Sequence, residues 1–319
     1  MPPVWMGGDM PEKSRIKGDI RTSQHHDSAV KHVSGRAIYV DDIATSANCL
    51  TVLIGQSQHA HARIRGMDLS AVAAAPGVVA VMSASDIPGV NDCGPMFHDD
   101  PIFAVGEVCY IGQSVFAVAA IDLASARHAV GLANIEYEPL PAILTIDEAM
   151  DAGSLLASPG KMTKGDPSKA LAEAPNQING RLYAGGQEHF YLEGQAALAV
   201  PGEDGDIQLF CSTQHPSEIQ HKVAGMLGLT YGDIQVEVRR MGGGFGGKES
   251  QSNLTACIAA LAAHKTERPA RLVYDRDDDM RVTGKRHDIK LVYKVGFDQD
   301  GRLIALIIDQ YLRCGMSYD

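Results

Sequence analysis

Short apolar runs separated by Gly, Pro, Asn and Asp set the rhythm of the chain, and their period switches between that of a strand and that of a helix. LTVLIGQS at Leu50–Ser57 predicts a strand, Leu69–Ala75 a short helix, Val78–Met82 a buried strand after the Gly77 turn, and Ala84–Ile87 a brief helical turn. SVFAVAA at Ser114–Ala120 is a further strand. Asp122 then caps a helix running to about Ala133, and Asn134–Glu138 returns as a strand that stops at Pro139. Past a Gly/Ser/Pro/Lys-rich seam, Asp166-Pro167 opens a helix to Glu173, with Pro at the first helical position. Strands follow at Ile178–Ala184, Ala196–Val200 and Ile207–Ser212, the last two joined by PGEDGD. A helix then runs from near Pro216 to Gly228, and a strand from Ile234 to Arg239. An apolar helix is expected around Asn253–His264, a strand at Arg271–Tyr274, and a hairpin of Lys290–Phe297 with Arg302–Leu312 about the DQDG turn. Mixed strands and helices of this kind give an α/β (α+β) class. The predicted organisation is a polar lead-in at 1–27, a compact unit at 28–150, a linker at 151–176 and a second unit at 177–319.

Composition narrows the function classes. The 319 residues suffice for two cored domains. A net charge of −11 gives a nucleic-acid partner no electrostatic support. No apolar run approaches the ~20 residues that span a bilayer, and MPPVWMGGDM is not a secretory signal, so a cytoplasmic protein is expected. The six cysteines form no C-x-x-C pair, which argues against a zinc knuckle or an iron–sulfur cradle and for buried or half-buried free thiols. DRDDD at Asp275–Asp279 lacks the glycine and closing glutamate of an EF-hand loop and reads as a strand end and a helix start. Glu188 and His189, adjacent on an expected strand, point to opposite faces, so each is assigned structural hydrogen bonding.

RRMGGGFGGKES at Arg239–Ser250 carries the chemistry. Gly242, Gly244 and Gly247 satisfy G-x-G-x-x-G between a strand and a helix, but five glycines in six positions satisfy many patterns, and of the acidic residues that could serve ~20 positions on, Glu267 precedes the next strand and Asp275 comes late. Gly242 through Lys248 fits a P-loop until Glu249 replaces the hydroxyl residue with a carboxylate that repels phosphates. A turn that only packs a strand on a helix is the plainer alternative. Against it, each glycine costs backbone entropy on ordering, whereas bare backbone serves where a flat or bulky ligand comes within reach of peptide N–H groups.

MGGGFGGKES resembles the glycine loop of the molybdenum-cofactor subunit of xanthine dehydrogenases, in the molybdenum hydroxylase family with aldehyde oxidases and carbon monoxide dehydrogenases. GGQEHFYLEG (Gly185–Gly194) is similar to the family segment that meets the metal. HVSGRAIYVDDI (His32–Ile43) and EYEPLPAILTIDEA (Glu136–Ala149) resemble the two ends of the family's small α/β hammerhead domain. Four strings in register from about Asp27 onward make the likeness specific.

The resemblance implies a hammerhead at 28–150 and the incomplete first part of a molybdopterin-binding domain at 177–319. The molybdenum would be held by the dithiolene of its pterin, with no protein metal ligand. Gln187 would set its amide beside the metal's oxo group, Phe245 would cover the metal, and Gly246 would offer its N–H to the cofactor. Glu249 would hydrogen-bond a purine ring, where aldehyde oxidases tend to carry an apolar residue. Its plain alternative is an exposed glutamate at a helix start. The family's base, the arginine opposite Glu249 and the aromatic purine sandwich are expected beyond Asp319, so no catalytic residue is expected in this chain and the chain alone is expected to be inactive. Iron–sulfur clusters and FAD are expected on a partner subunit, in a dimer of heterodimers that hydroxylates hypoxanthine and xanthine and passes electrons to NAD. An aldehyde or other N-heterocycle hydroxylase, or an inactive scaffold fragment, is the alternative.

Overall fold

The structure is a computed structural model that describes residues 23 and 25–317. The chain forms two compact units, Met1–Ile38 and Tyr39–Asp319. In the first, α1 (Ala29–Val33) buries none of its side chains; nearly all of the expected lead-in at 1–27 lies outside the described residues.

The second unit holds the strands β1 (Leu50–Gln56), β2 (Ala62–Asp68), β3 (Val78–Met82), β4 (Glu107–Val108), β5 (Ser114–Ala120), β6 (Asn134–Pro139), β7 (Asn176–Ala184), β8 (Ala196–Pro201), β9 (Ile207–Cys211), β10 (Ile234–Glu237), β11 (Ala270–Val273), β12 (Ile289–Phe297) and β13 (Leu303–Leu312). Its helices are α2 (Ser70–Ala73), α3 (Leu123–Val130), α4 (Ile146–Asp151), α5 (Pro167–Glu173), α6 (Pro216–Leu227), α7 (Ser252–Thr266) and α8 (Arg276–Val282). Seven strands form one mixed sheet in the order β10-β9-β8-β11-β1-β5-β3. Two further sheets, β13-β12-β7 and β4-β2-β6, are antiparallel.

The expected strands and helices are present, with ends differing by a few residues, and the differences are physical. The strand after α6 stops at Glu237 rather than Arg239, where the chain leaves the ladder for the glycine loop. The helix capped by Asp122 ends at Val130, three residues before the expected Ala133. β2, β4 and α4 were not anticipated: ARIRGMD is half exposed, so its apolar period is faint, and Glu107–Val108 is two residues long.

Strand β5 explains the layering. All seven of its residues are buried, because it is covered on both faces. Ala117 and Ala119 face the large core with Leu50, Val52 and Ile54 of β1, while Phe116, Val118 and Ala120 face Ala126 and Ala129 of α3. Helix α7 is buried on all sides from Thr255 to Ala263, since it packs on both the sheet and α6. Its alanines let the sheet approach closely; at β1, Gly55 has no room for a Cβ against the Phe116 ring. The seven-stranded sheet crosses the expected linker: β1 pairs in parallel with β11 at Leu50–Ala270, Thr51–Arg271 and Val52–Leu272. Residues on either side of 151–176 therefore share one sheet and one core.

Candidate functional site

The stretch between β10 and α7 holds the glycine loop, and the expected second segment, Gly185–Gly194, lies against it. A Cβ on Gly247 would stand 2.7 Å from the His189 ring and 2.9 Å from the Tyr191 ring, and one on Gly243 would stand 3.2 Å from Tyr191 Cβ. Gly242 is pressed on Glu193 in the same way. Bare backbone is thus needed first for packing of the two segments. Gly243 (φ +98°) and Gly246 (φ +91°) occupy the left-handed region, and around Gly246 nothing lies within 4 Å of where a Cβ would project. Gly246 is therefore the open position of the loop.

Phe245 (φ +55°) and Phe190 (φ +50°) hold the left-handed conformation without being glycine, and both are exposed, at 76% and 64%. Such a backbone costs of order 1–3 kcal/mol per residue and persists only where the surroundings over-determine it. For Phe190 the surroundings are visible. Arg276 places its guanidinium 5.1 Å from the Phe190 ring centroid and donates to the carbonyls of Tyr191 (2.7 Å) and Leu192 (2.9 Å). The Phe245 ring lies back over Gly243.

Beneath the loop is a polar cluster. Lys248, the residue that a P-loop would aim at phosphates, is fully buried. Its ammonium donates to Glu193 O (2.7 Å) and Ser212 Oγ (2.8 Å), lies 3.4 Å from Glu193 Oε2 and 4.6 Å from the Tyr191 ring centroid. Burial pushes its pKa below the ordinary lysine value, and the Glu193 carboxylate opposes that shift. Glu193 Oε2 also accepts from Gly242 N (2.7 Å) and Ser212 Oγ (2.7 Å). Deeper still, Tyr191 donates to Asp279 Oδ1 at 2.6 Å, and Gln195 bridges Tyr191, Asp279 and the Gly247 carbonyl. Desolvation and then the Asp279 carboxylate raise the Tyr191 pKa, so that hydroxyl remains a donor.

The four expected site residues fall as follows. Gln187 is exposed; its backbone is fixed by an isolated antiparallel bridge to Arg286 (3.1 and 3.0 Å), and its side-chain amide has no partner among the described residues. Phe245 is exposed at the loop apex. The Gly246 N–H, expected to face the cofactor, donates to Gln214 Oε1 at 3.0 Å. Glu249 lies before α7 rather than in it, exposed, with its carboxylate free of ion pairs among the described residues. Among the described residues no hydrogen bond or ion pair joins Gln187 to Phe245, Gly246 or Glu249; their segments lie together through Gly247 against His189 and Tyr191.

Glu188 and His189 lie outside any strand. Glu188 pairs with Lys285 at 2.8 Å; burial opposes its charge, but the Lys285 hydrogen bond holds its pKa below the usual glutamate value. His189 stacks on Tyr191 at 6.3 Å between centroids and makes no hydrogen bond among the described residues, where a structural hydrogen bond was expected. Among the cysteines, Cys109 and Cys314 are exposed, contrary to the expectation of buried or half-buried thiols, while Cys93, Cys211 and Cys257 are buried. Gln214, Glu193 and Lys248 were missed as loop-holding residues. Their signal was Ser212-Thr213-Gln214, three polar residues placed directly after an apolar strand and before Pro216.

Residues 150–319 match the family described as the molybdopterin cofactor-binding domain, and residues 34–141 the a/b hammerhead domain of aldehyde oxidase and xanthine dehydrogenase. The chain is 44% identical over 295 residues to xanthine dehydrogenase/oxidase of Rattus norvegicus (92% of this chain) and 40% over 309 residues to xanthine dehydrogenase of Dictyostelium discoideum (97%). It spans 22% of the length of each of these relatives. Among solved structures, an aldehyde oxidoreductase from Desulfovibrio gigas superposes with a TM-score of 0.81 at 27% identity, over 90% of this chain and 34% of that one. A quinoline 2-oxidoreductase from Pseudomonas putida 86 gives 0.80 at 26%, over 91% and 39%. With its hammerhead segment followed by the matched domain over 150–319, the chain belongs to the molybdopterin cofactor-binding family.

Proposed function

We propose that this chain is the cofactor-cradling part of a xanthine dehydrogenase-type molybdenum hydroxylase acting on hypoxanthine and xanthine in purine catabolism. The observation that carries this reading is Glu249: a carboxylate without an ion pair among the described residues, exposed one residue past the Lys248 anchor, suits the N–H edge of a purine. Beside a plain aldehyde, an unpaired charge would only add a desolvation cost. The loop fits a molybdenum–pterin group recognised through backbone. The amides of Gly243, Gly244 and Phe245 donate to no acceptor among the described residues, and Gly246 opens onto free space. When bound, that group supplies oxidative hydroxylation with water as the oxygen source. Of this chain's residues, Gln187 would present its free amide to the metal's oxo oxygen, Phe245 would shield the site from water, the Gly243–Phe245 amides would hold the group, and Glu249 would orient the purine. FAD and iron–sulfur clusters on a partner subunit would carry electrons to NAD, in a cytoplasmic dimer of heterodimers completed by a C-terminal remainder that holds the base. A second reading, an N-heterocycle or aldehyde hydroxylase, draws support from the likeness to the quinoline and aldehyde oxidoreductases.

The test begins with the intact mass and molybdenum content of the native protein. A mass well above 34.0 kDa with bound molybdenum is the expected result. In that protein Gln187→Ala lowers kcat roughly 100-fold with molybdenum retained. Glu249→Ala lowers kcat/KM for xanthine roughly 10- to 100-fold while aldehyde turnover is spared. Equal losses on both substrates would favour the second reading; loss of metal from the Gln187 variant would remove its assigned role.

A further inference from the structure

The glycine loop is held at both ends by different chemistry. At its start Glu193 accepts the Gly242 N–H, and the Glu193 N–H returns to the Gly242 carbonyl at 3.2 Å. At its end a single amide oxygen, Gln214 Oε1, accepts from Gly246 N at 3.0 Å and Lys248 N at 3.3 Å, while Gln214 N donates to the Lys248 carbonyl at 2.8 Å. Since both side-chain contacts come from N–H donors, the oxygen faces the loop and Nε2 faces away. Gly244 lies tight against this side chain, with room for a Cβ only 2.6 Å from Oε1. Gln214 is exposed, so apolar burial does not account for its placement. Its neighbours place it: Ser212 bonds to Glu193 and Lys248, and Thr213 Oγ1 donates to the Lys248 carbonyl at 3.1 Å, so the end of β9 is fastened to the loop before Gln214 is reached.

We propose that Gln214 is the positioning residue of the loop toward its bound group. By taking the amides of Gly246 and Lys248 it fixes Gly246 in the left-handed region and leaves Gly243, Gly244 and Phe245 as a run of unpartnered donors. This rests on the reading that the loop holds the molybdenum–pterin group. Without the acceptor, Gly246 regains both signs of φ, the three amides lose their fixed placement, and the group is held by a loop that must be ordered on binding.

The experiment compares the native full-length protein with Gln214→Ala and Gln214→Glu, reading hydrogen exchange of the 241–250 segment and molybdenum per chain. Expected are about tenfold faster exchange at Gly246 and Lys248 in Gln214→Ala, a several-fold fall in molybdenum, and an unchanged exchange pattern in α6 and α7. Gln214→Glu keeps an acceptor oxygen and restores slow exchange. Unchanged exchange in Gln214→Ala, or exchange that Glu does not restore, overturns the proposal. So does faster exchange with full molybdenum, which would make the contact structural only. If the unsubstituted protein binds no molybdenum, the cofactor reading fails instead, and exchange alone then decides whether Gln214 holds the loop.

Discussion

A lysine in a glycine-rich loop invites the thought of phosphate, yet Lys248 shows how neighbours decide a residue's task. Its ammonium is out of water and tied to Glu193, Ser212 and the Tyr191 ring, so it sets the floor of the loop. Removing the cation leaves the Glu193 carboxylate, which already has one buried oxygen without a partner, uncompensated. Lys248→Met is expected to cost about 3–5 kcal/mol in urea unfolding, and adding Glu193→Gln should recover part of it. Additive losses in the double variant would show that the two groups act separately. At this scale the sequence was only partly legible. The mismatch at Glu249 argued against a P-loop from the string alone. That Lys248 points inward, and that Gln214 takes the Gly246 amide, depends on segments 32 to 55 residues away in the chain.

Elements are where local chemistry speaks most directly. Asp122 accepts Ser125 N at 2.7 Å as the cap of α3, and Glu148 closes a capping box on α4 by accepting Leu144 N and Thr145 N at 3.0 Å. These backbone hydrogen bonds, with smaller side-chain ones, hold both carboxyl pKa values below their ordinary range. A carboxyl whose folded pKa is depressed stabilises the fold fully above its unfolded value and loses that contribution as pH falls through the folded value. The urea midpoint should therefore drop between pH 7 and pH 3, and the drop should be smaller in Asp122→Asn with Glu148→Gln, whose caps do not titrate. An identical drop would place the acid sensitivity elsewhere. The Asp122 cap was readable from sequence, as were Asp166-Pro167 and the DQDG turn, where Gly301 takes φ +80°. α4 was not, although Thr145-Ile146-Asp147-Glu148 spells its box, because the apolar Ala142-Ile143-Leu144 before it follows two prolines and shows no helical period.

Whole-molecule architecture was the least legible level, because strand partners are non-local. The stretch at 151–176 reads as a boundary between two units, and residues 154–165 are exposed coil containing Lys161 and Lys164. Yet β1 would present an open edge if the N-terminal segment stood alone, and such an edge invites wrong pairing. β11, about 220 residues later, covers it: Leu50 N donates to Pro269 O at 2.7 Å, and Arg271 reaches the carbonyls of Asp41 and Ile43. Below the sheet, Leu50, Val52, Ile54, Ile102 and Phe103 share one core with Ala197, Ala199, Ile219, Val223 and α7. Trypsin nicking at Lys161 or Lys164 should therefore give two bands on a denaturing gel but one peak of unchanged size in native chromatography. The halves should part only in denaturant, since no disulfide joins them among the described residues and the association is carried by buried apolar area and ladder hydrogen bonds. Halves that separate in native buffer would mean that the β1–β11 ladder does not hold them together, and that the linker divides two independent domains.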